Sequence, residues 1–455
     1  MFWKRFILAW ILLRSQGRLN SDSTTSDLMG FLDKLFSSKP TRDQFAQIVL
    51  RDLANRGVTG ARYDKEGFAI HVGTAANALF LDNTYANYCK SDKRQRAEAL
   101  AHLTAGFVAK PEIPKDYATV RPNLMPIVRD TSYSSLADLN LRSRGVTDLK
   151  PTLSRSLADG LVTLLAYDTE HSIMQVNQDS FANWNVSFEE AYTTAVQNLR
   201  DKTDTRLLIE TERGVYRSRW GDSYDSARIL LTDLIYRLSL NGDPVAFIPN
   251  RDQLWITGHQ NTQALQSFIA AAEETHFAAH PLSARLYLLA DGKWRPYLPQ
   301  ELTLRTLCLN LLRKRSAVDY DQQKKALDAI YAKSKTDIFV ATYSVFKRKD
   351  GSFFSQTLWS NGVDSLLPEA DTLALGIDPT AKNFLMVPWE LAFPLLHDLM
   401  VREEGLAPVR YRVRTFPGTD QIAKLSAVVE TAKHTSTGAS ARNVALPVTS
   451  NPHGR

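Results

Sequence analysis

The amino-acid sequence predicts an α+β protein of two to three lobes, with mainly antiparallel sheets and helices packed on them. Three observations carry this. The 455 residues, at about 150 per domain, allow roughly three domains. Hydrophobic residues make up 44% and charged residues 23%, close to the soluble globular average. Each part can therefore build a core, and long disordered, collagen-like and membrane-bundle architectures are excluded. Between residues 160 and 297 the elements run β-α-β-β-α-β-β with short hairpins, an order that argues for a mainly antiparallel sheet.

The pattern divides the chain into an upstream extension or targeting-like segment (1–28), an N-terminal α+β lobe (29–125), a central α+β domain (126–300), a helical linker (301–335), a C-terminal α+β domain (336–433) and a disordered tail (434–455). In the first segment, Phe6 to Leu13 is an apolar run bounded by Arg5 and Arg14. A spanning helix needs about 20 apolar residues, so no membrane span is predicted. The segment reads as sequence upstream of a start at Met29, as a membrane-surface anchor, or as a signal peptide. These readings leave a cytoplasmic protein first, and a membrane-associated or exported one as the alternative.

In the N-terminal lobe, Thr41 opens a helix with Phe45, Ile48, Val49 and Leu53 on one face. Strands at 61–63 and 68–72 flank the turn Asp64-Lys65-Glu66-Gly67, and a second helix covers 94–108. In the central domain, 160–167 is a nearly continuous apolar strand. Ser187 and Glu190 form a capping box ahead of a helix faced by Ala191, Ala195, Val196 and Leu199. Strands follow at 207–210 and 214–219. A helix capped by Asp222 or Ser223 comes next, with Ala227, Leu230, Leu231, Leu234 and Leu238 as its stripe. Strands 244–248 and 254–257 are joined by the turn Pro249-Asn250-Arg251-Asp252. A helix runs from Thr262, and a hairpin pairs 284–289 with 293–297. The C-terminal domain opens on a hairpin of 338–346 with 353–359 across Arg348-Lys349-Asp350-Gly351. A strand at 372–377, a helix with Pro388 near its first turn, a strand at 409–414 and a last helix marked by Ile422, Leu425 and Val429 complete it.

The chemistry is defined first by what is missing. The sequence has no phosphate-binding glycine loop, dinucleotide fingerprint, Gly-x-Ser-x-Gly elbow, Cys-x-x-Cys or His-Glu-x-x-His. Lys and Arg number 55 against 49 Asp and Glu, a mild net charge of +6. The basic run Arg313-Lys314-Arg315, with Lys324 and Lys325, is diluted by Asp319, Asp321 and Asp328, which suits a solvated helix face better than a specific nucleic-acid interface. Cys89 and Cys308 are far apart and fit two free thiols in a reducing cytoplasm. His276 and His280 have a metal-like spacing, but Pro281 pushes His280 out of the α region and no third ligand is evident, so the pair reads as a helix end.

The densest polar cluster is Arg219 to Arg228, where a strand becomes a helix. Asp222, Tyr224, Asp225 and Arg228 are candidate ligand-binding residues there. The simpler reading is structural: Asp222 caps, Asp225 favours the helix dipole, and Arg228 pairs with Asp225 or Tyr224. Asn250, Arg251 and Asp252 form a second polar turn, and Arg129 with Asp130 a third charged pair that reads as an internal ion pair. If the three groups met in one cleft they would line a charged pocket.

Residues 220–228, 243–246, 248–252, 257–258 and 281–283, together with 83–88 and 128–129, resemble the YtpQ-like bacterial family, a domain of unknown function. The resemblance spans about residues 30–300. It implies a cytoplasmic bacterial α+β protein and supplies no reaction, cofactor or catalytic residue. The function expected is a noncatalytic module binding a protein or a small polar ligand, with no cofactor and no metal. The alternative is a hydrolase or transferase of unfamiliar type using Asp222, Asp225, Arg228 and Arg251.

Overall fold

The computed structural model describes residues 39–438, apart from residue 66 and the segments 73–77, 110–111, 147–148, 150–151, 170–171, 276–279 and 378–383. The expectations for 1–28, for the part of the tail beyond 438 and for His276 lie outside the described residues, while residues 434–438, expected to belong to the tail, continue the last helix instead. The chain forms two compact units, Met1–Val108 and Ala109–Arg455.

The first unit packs α1 (Arg42–Asn55) on an antiparallel sheet of β1 (Ala61–Asp64), β2 (Ala69–Val72) and β3 (Ala78–Phe80), followed by α2 (Asp82–Lys90) and α3 (Lys93–Ala109). Thr41 begins α1 through a capping box: its hydroxyl accepts from the Gln44 amide and the Gln44 side chain reaches back. Phe45, Val49 and Leu53 then meet Phe68 and Ile70 of the sheet in one core.

The second unit begins with α4 (Tyr117–Val120), β4 (Leu124–Asp130), α5 (Thr131–Ser143), β5 (Arg155–Ala158), β6 (Leu161–Asp168), β7 (Ile173–Gln175), α6 (Gln178–Trp184) and α7 (Phe188–Asp201). The Ser187–Glu190 capping box is formed as expected. Next come β8 (Leu208–Glu212), β9 (Val215–Ser218), α8 (Thr232–Ile235), β10 (Pro244–Phe247), β11 (Trp255–Gly258), α9 (Thr262–Thr275), β12 (Leu286–Ala290) and β13 (Lys293–Tyr297). Strands 8 to 13 make a six-stranded, wholly antiparallel sheet in the order β13-β12-β10-β11-β9-β8. Strand alternation splits its side chains between two cores. Ala246, Ile256 and Tyr287 face the β4–β6 sheet, whereas Val245, Phe247 and Trp255 pack on Leu265 and Phe268 of α9.

A single 33-residue helix, α10 (Leu302–Ser334), replaces the helix and linker expected at 301–335. Its first half buries Leu304, Cys308 and Leu311 against α9. Its second half places Ala326 and Leu327 against Leu139 of α5, Val340 and Leu366. No loop is needed because both halves find apolar partners. The remaining elements are β14 (Phe339–Val340), β15 (Ser344–Lys347), β16 (Phe353–Ser360), β17 (Ser365–Pro368), β18 (Thr372–Gly376), β19 (Leu385–Pro388), α11 (Trp389–Leu396), β20 (Val401–Arg402), β21 (Arg410–Val413) and α12 (Thr419–Gly438). They form two four-stranded sheets, β14-β17-β21-β20 and β15-β16-β18-β19. The strand expected at 338–346 is thus two strands in different sheets. The β15–β16 hairpin forms across the expected turn, while the β14–β17 and β16–β18 pairs are parallel. The fold is α+β with mostly antiparallel sheets, as predicted. Among the described residues no helix is long and apolar enough to cross a membrane. Both cysteines are free, and burial pushes the Cys308 thiol up to about 12.

Candidate functional site

The loop after β9 does not start the long helix expected from its apolar stripe. Gly221 and Ser223 both have positive φ (64° and 69°), so the chain doubles back rather than entering a helix. Residues Ser226–Leu230 make a 3-10 turn that Leu231, at φ −88° and ψ 62°, breaks before α8. Asp222 therefore caps no helix: its Oδ1 accepts the Tyr224 amide at 3.0 Å in a local turn. Asp225 makes no capping bond from its side chain either. Instead, its Oδ2 accepts the Gly221 amide at 3.0 Å.

Arg228 is the centre of this loop. It is 2% exposed and donates to both oxygens of Asp222, at 2.9 and 2.6 Å, a bidentate pair rather than the contact with Asp225 or Tyr224 expected. Its Nε donates to Thr203 at 2.9 Å, and its guanidinium lies 4.2 Å from the centroid of the Trp220 ring. The Trp220 indole in turn donates to the Asp204 carbonyl. Burial opposes charge on Asp222, but the bonds and field of Arg228 outweigh it and hold the carboxyl below its ordinary range. Asp225 behaves oppositely. Burial raises its carboxyl and the Asp222 charge adds to this, against the pull of Ser218 and Arg228. Its Oδ1 is buried without a hydrogen-bond partner. The Asp222–Arg228 pair is self-contained and knits the β9 loop to the end of α7. Replacing Arg228 with methionine is expected to cost about 2–3 kcal/mol of unfolding free energy, because the Asp222 carboxylate and the Thr203 hydroxyl lose their donor at once. Urea denaturation measures this, and a loss under about 0.5 kcal/mol, the level of an ordinary surface change, contradicts the assignment.

A second group forms beside it. The turn after β10 is built as expected, with Asn250 Oδ1 accepting the Asp252 amide at 3.0 Å and its amide group donating to Gln253. This turn is laced to the segment before β12. Arg251 N donates to the His280 carbonyl, Leu282 N to Pro249, and Asn250 forms a bridge with Pro281. From the other side, the Ser226 amide donates to the Arg251 carbonyl. His280 has a φ of 55°, outside the right-handed α region as expected but left-handed rather than the extended conformation usual before proline.

Arg129, at the end of β4, joins the same place. It does not pair with Asp130: that carboxylate caps α5 by accepting the Ser132 amide at 2.9 Å. Arg129 instead lies 5.2 Å from the centroid of the Tyr133 ring and donates to the Val128 carbonyl. Burial pulls its pKa down and the charge of Arg251 adds to this, while Tyr133 and Tyr224 work the other way. Burial and the fields of Arg251 and Arg129 together push His280 down to about 3, so it is neutral at physiological pH. Tyr224 is 3% exposed and its hydroxyl has no hydrogen-bond partner. Burial, with the Asp168 carboxylate adding to it, drives that hydroxyl far up, so it stays a neutral donor.

The structure thus brings Arg129, Tyr224 and Arg251 together and adds His280 and Tyr133, which sequence reasoning missed as site residues. Asp252 pairs with Arg251 at 3.2 Å on the outer side. Asp222 and Arg228 are spent on each other, and Asn250 on its turn. Among the described residues no carboxylate lies within ion-pair distance of Arg129, and no group of His, Cys, Asp and Glu could hold a metal. The arrangement sets two guanidinium groups near one buried phenolic O–H, donors of the kind an anion site uses. No family model, curated protein or solved structure matches the chain.

Proposed function

We propose that this chain is a noncatalytic binding module that holds a small polar anion between Arg129, Arg251 and Tyr224. One observation carries the reading. Arg129 has no carboxylate within ion-pair distance among the described residues, and the hydroxyl of its neighbour Tyr224 is buried with no hydrogen bond of normal length, the Asp168 carboxylate acting on it from farther off. A buried unmatched hydroxyl costs about 1–3 kcal/mol, and an anion oxygen would satisfy it and the guanidinium together. His280, neutral beside both arginines, takes none of their charge; Arg251 shares its own with Asp252 at 3.2 Å, while Arg129 has no carboxylate within ion-pair distance among the described residues. The alternative, a hydrolase or transferase working through Asp225, draws on its raised carboxyl and unpartnered Oδ1. The near-complete burial of Asp225 favours the binding reading. The free thiols suit a reducing cytoplasm, and the YtpQ-like affinity is part of the same proposal.

Calorimetric titration with inorganic phosphate and with citrate tests it. Wild-type protein is expected to bind at least one of the two, and Arg129→Met to weaken that binding at least tenfold, the scale of one lost charge-assisted contact. Tyr224→Phe is expected to fold normally, since it removes an unsatisfied group, and to bind several-fold more weakly. Binding that is equal in wild type and Arg129→Met, or absent in wild type for both anions, overturns the proposal.

A further inference from the structure

The β15-β16-β18-β19 sheet has one face in the core and one outside it. Along β16, Ser355, Thr357 and Trp359 are buried, and so are Leu373 and Leu375 of β18 and Val387 of β19. By strand alternation the opposite face carries Phe346 and Phe354 at one end and Leu358, Ala374 and Met386 at the other, aligned by the register pairs Phe346↔Phe354, Leu358↔Ala374 and Ala374↔Met386, with the polar row Ser344, Gln356 and Thr372 between them. Much of this face is uncovered: Phe346 is 45%, Leu358 37% and Met386 38% exposed, and Phe384 just before β19 is 48% exposed, whereas Phe354 is half-buried and Ala374 fully buried. Apolar stripes of this breadth mark interaction surfaces.

The β15–β16 hairpin ends this stripe in cations. Lys347, Arg348 and Lys349 are all exposed, and none forms an ion pair among the described residues. The Arg348 guanidinium sits 4.5 Å from the Phe354 centroid, and Phe346 and Phe354 stack at 5.4 Å. The one acid of the turn, Asp350, is engaged by the Ser352 amide and hydroxyl at 2.9 and 2.7 Å. The tip is therefore positive where it joins the apolar face.

We infer that this hairpin and sheet face dock on an anionic lipid bilayer surface. The charge selects a negative partner. The apolar side chains select a partner with an apolar layer, since they stand on the face of the sheet rather than along its edges at β15 and β19. A bilayer interface offers both at once, with acyl chains for Phe346, Leu358 and Met386 and anionic headgroups for the three cations. A nucleic acid has charge for the tip but nothing for the aliphatic side chains. This surface is separate from the proposed anion site and does not depend on it.

Cosedimentation of the full chain with vesicles of phosphatidylcholine and phosphatidylserine in about a 7:3 ratio tests the inference. Wild-type protein is expected to bind these vesicles, more weakly at high salt, and to bind pure phosphatidylcholine poorly. A basic residue near an anionic leaflet is worth about a factor of five, so Lys347→Glu, Arg348→Glu and Lys349→Glu together should lower the partition coefficient at least tenfold and nearer a hundredfold. Phe346→Ser with Leu358→Ser should lower it about tenfold while keeping the salt dependence. These residues are exposed, so circular dichroism and the unfolding midpoint should stay at wild-type values. Vesicle binding unchanged by charge reversal overturns the inference. So does a wild-type chain that ignores the vesicles but binds polyglutamate through the same lysines, which would assign the tip to an acidic protein.

Discussion

Replacing Arg410 with methionine is expected to destabilise the Ala109–Arg455 unit by about 3–5 kcal/mol, the range for removing one member of a buried charged network. Arg410 is fully buried on β21. Its guanidinium donates to Gln323 Oε1 at 2.5 Å, the Ala341 carbonyl at 2.7 Å, the Leu366 carbonyl at 3.1 Å and the Tyr320 carbonyl at 3.2 Å. No carboxylate balances it within ion-pair distance among the described residues; it lies over the Tyr320 ring instead. Burial draws its pKa down to about 10, which still leaves it charged at neutral pH. Those four acceptors belong to α10, the β14–β15 connection and β17, so one side chain ties the long helix to the C-terminal sheet. Methionine fills much of the volume and relieves the desolvation of the charge, a change that can stabilise when a whole network is removed. Here the acceptors stay behind, buried and unmatched, at about 1–3 kcal/mol each before relaxation. Arg410→Lys is expected to recover little, since an ammonium cannot reach acceptors spread around a planar fork. Guanidinium denaturation followed by fluorescence checks this. A loss under about 1 kcal/mol, typical of a single ordinary substitution, would show that the carbonyls find other donors.

Local chemistry was legible in the sequence; placement was not. The Ser187–Glu190 capping box, the Asn250 turn and the β15–β16 hairpin depend on residues within a few positions of one another, so each could be read from spacing. The 33-residue helix escaped because its buried side changes along its length. Leu304, Cys308 and Leu311 face one core, and Tyr320, Gln323, Ala326 and Leu327 face others, so no single 3.6-residue stripe persists. The false helix after Asp222 had the opposite cause. Its stripe does face the core, with Ala227 and Leu231 buried and Leu230, Leu234 and Leu238 packed against them, but a 3-10 turn followed by the short α8 satisfies that burial without one long helix. The site was half legible for the same reason. Arg129, Tyr224 and Arg251 were identifiable as polar residues at element ends. Their meeting depends on backbone bonds between the Arg251 turn, the His280 segment and Ser226, which no sequence spacing encodes. His280 was misplaced because its histidine spacing and the proline after it spoke only of a helix end.

The second large effect is a pH dependence that two buried groups impose with opposite signs. Asp319 on α10 is 6% exposed, its Oδ2 accepts from Arg315 at 2.9 Å, and its Oδ1 has no partner. Burial raises its carboxyl to about 6, the Arg315 charge working against this and the Asp130 charge adding to it. A carboxyl that is raised in the folded state stabilises fully below its unfolded value near 3.9, and that contribution is lost as pH rises through about 6. The loss amounts to about 2–3 kcal/mol, at 1.36 kcal/mol per pKa unit. His280 runs the other way. The unfolded chain takes up a proton below about 6.5 while the folded site stays neutral to about 3, so its contribution is present above 6.5 and declines as pH falls. In the wild type the two partly cancel between pH 4 and 7. Asp319→Asn removes the first and should expose the second. Relative to wild type, its unfolding free energy is expected to climb by about 2–3 kcal/mol between pH 4 and pH 8, even though Arg315 loses its charged partner at every pH. His280→Asn, which tolerates the positive φ, should tilt the profile in the opposite sense. Urea denaturation at each pH separates the two, and a variant-to-wild-type difference that does not change with pH would place neither titration in the folded core.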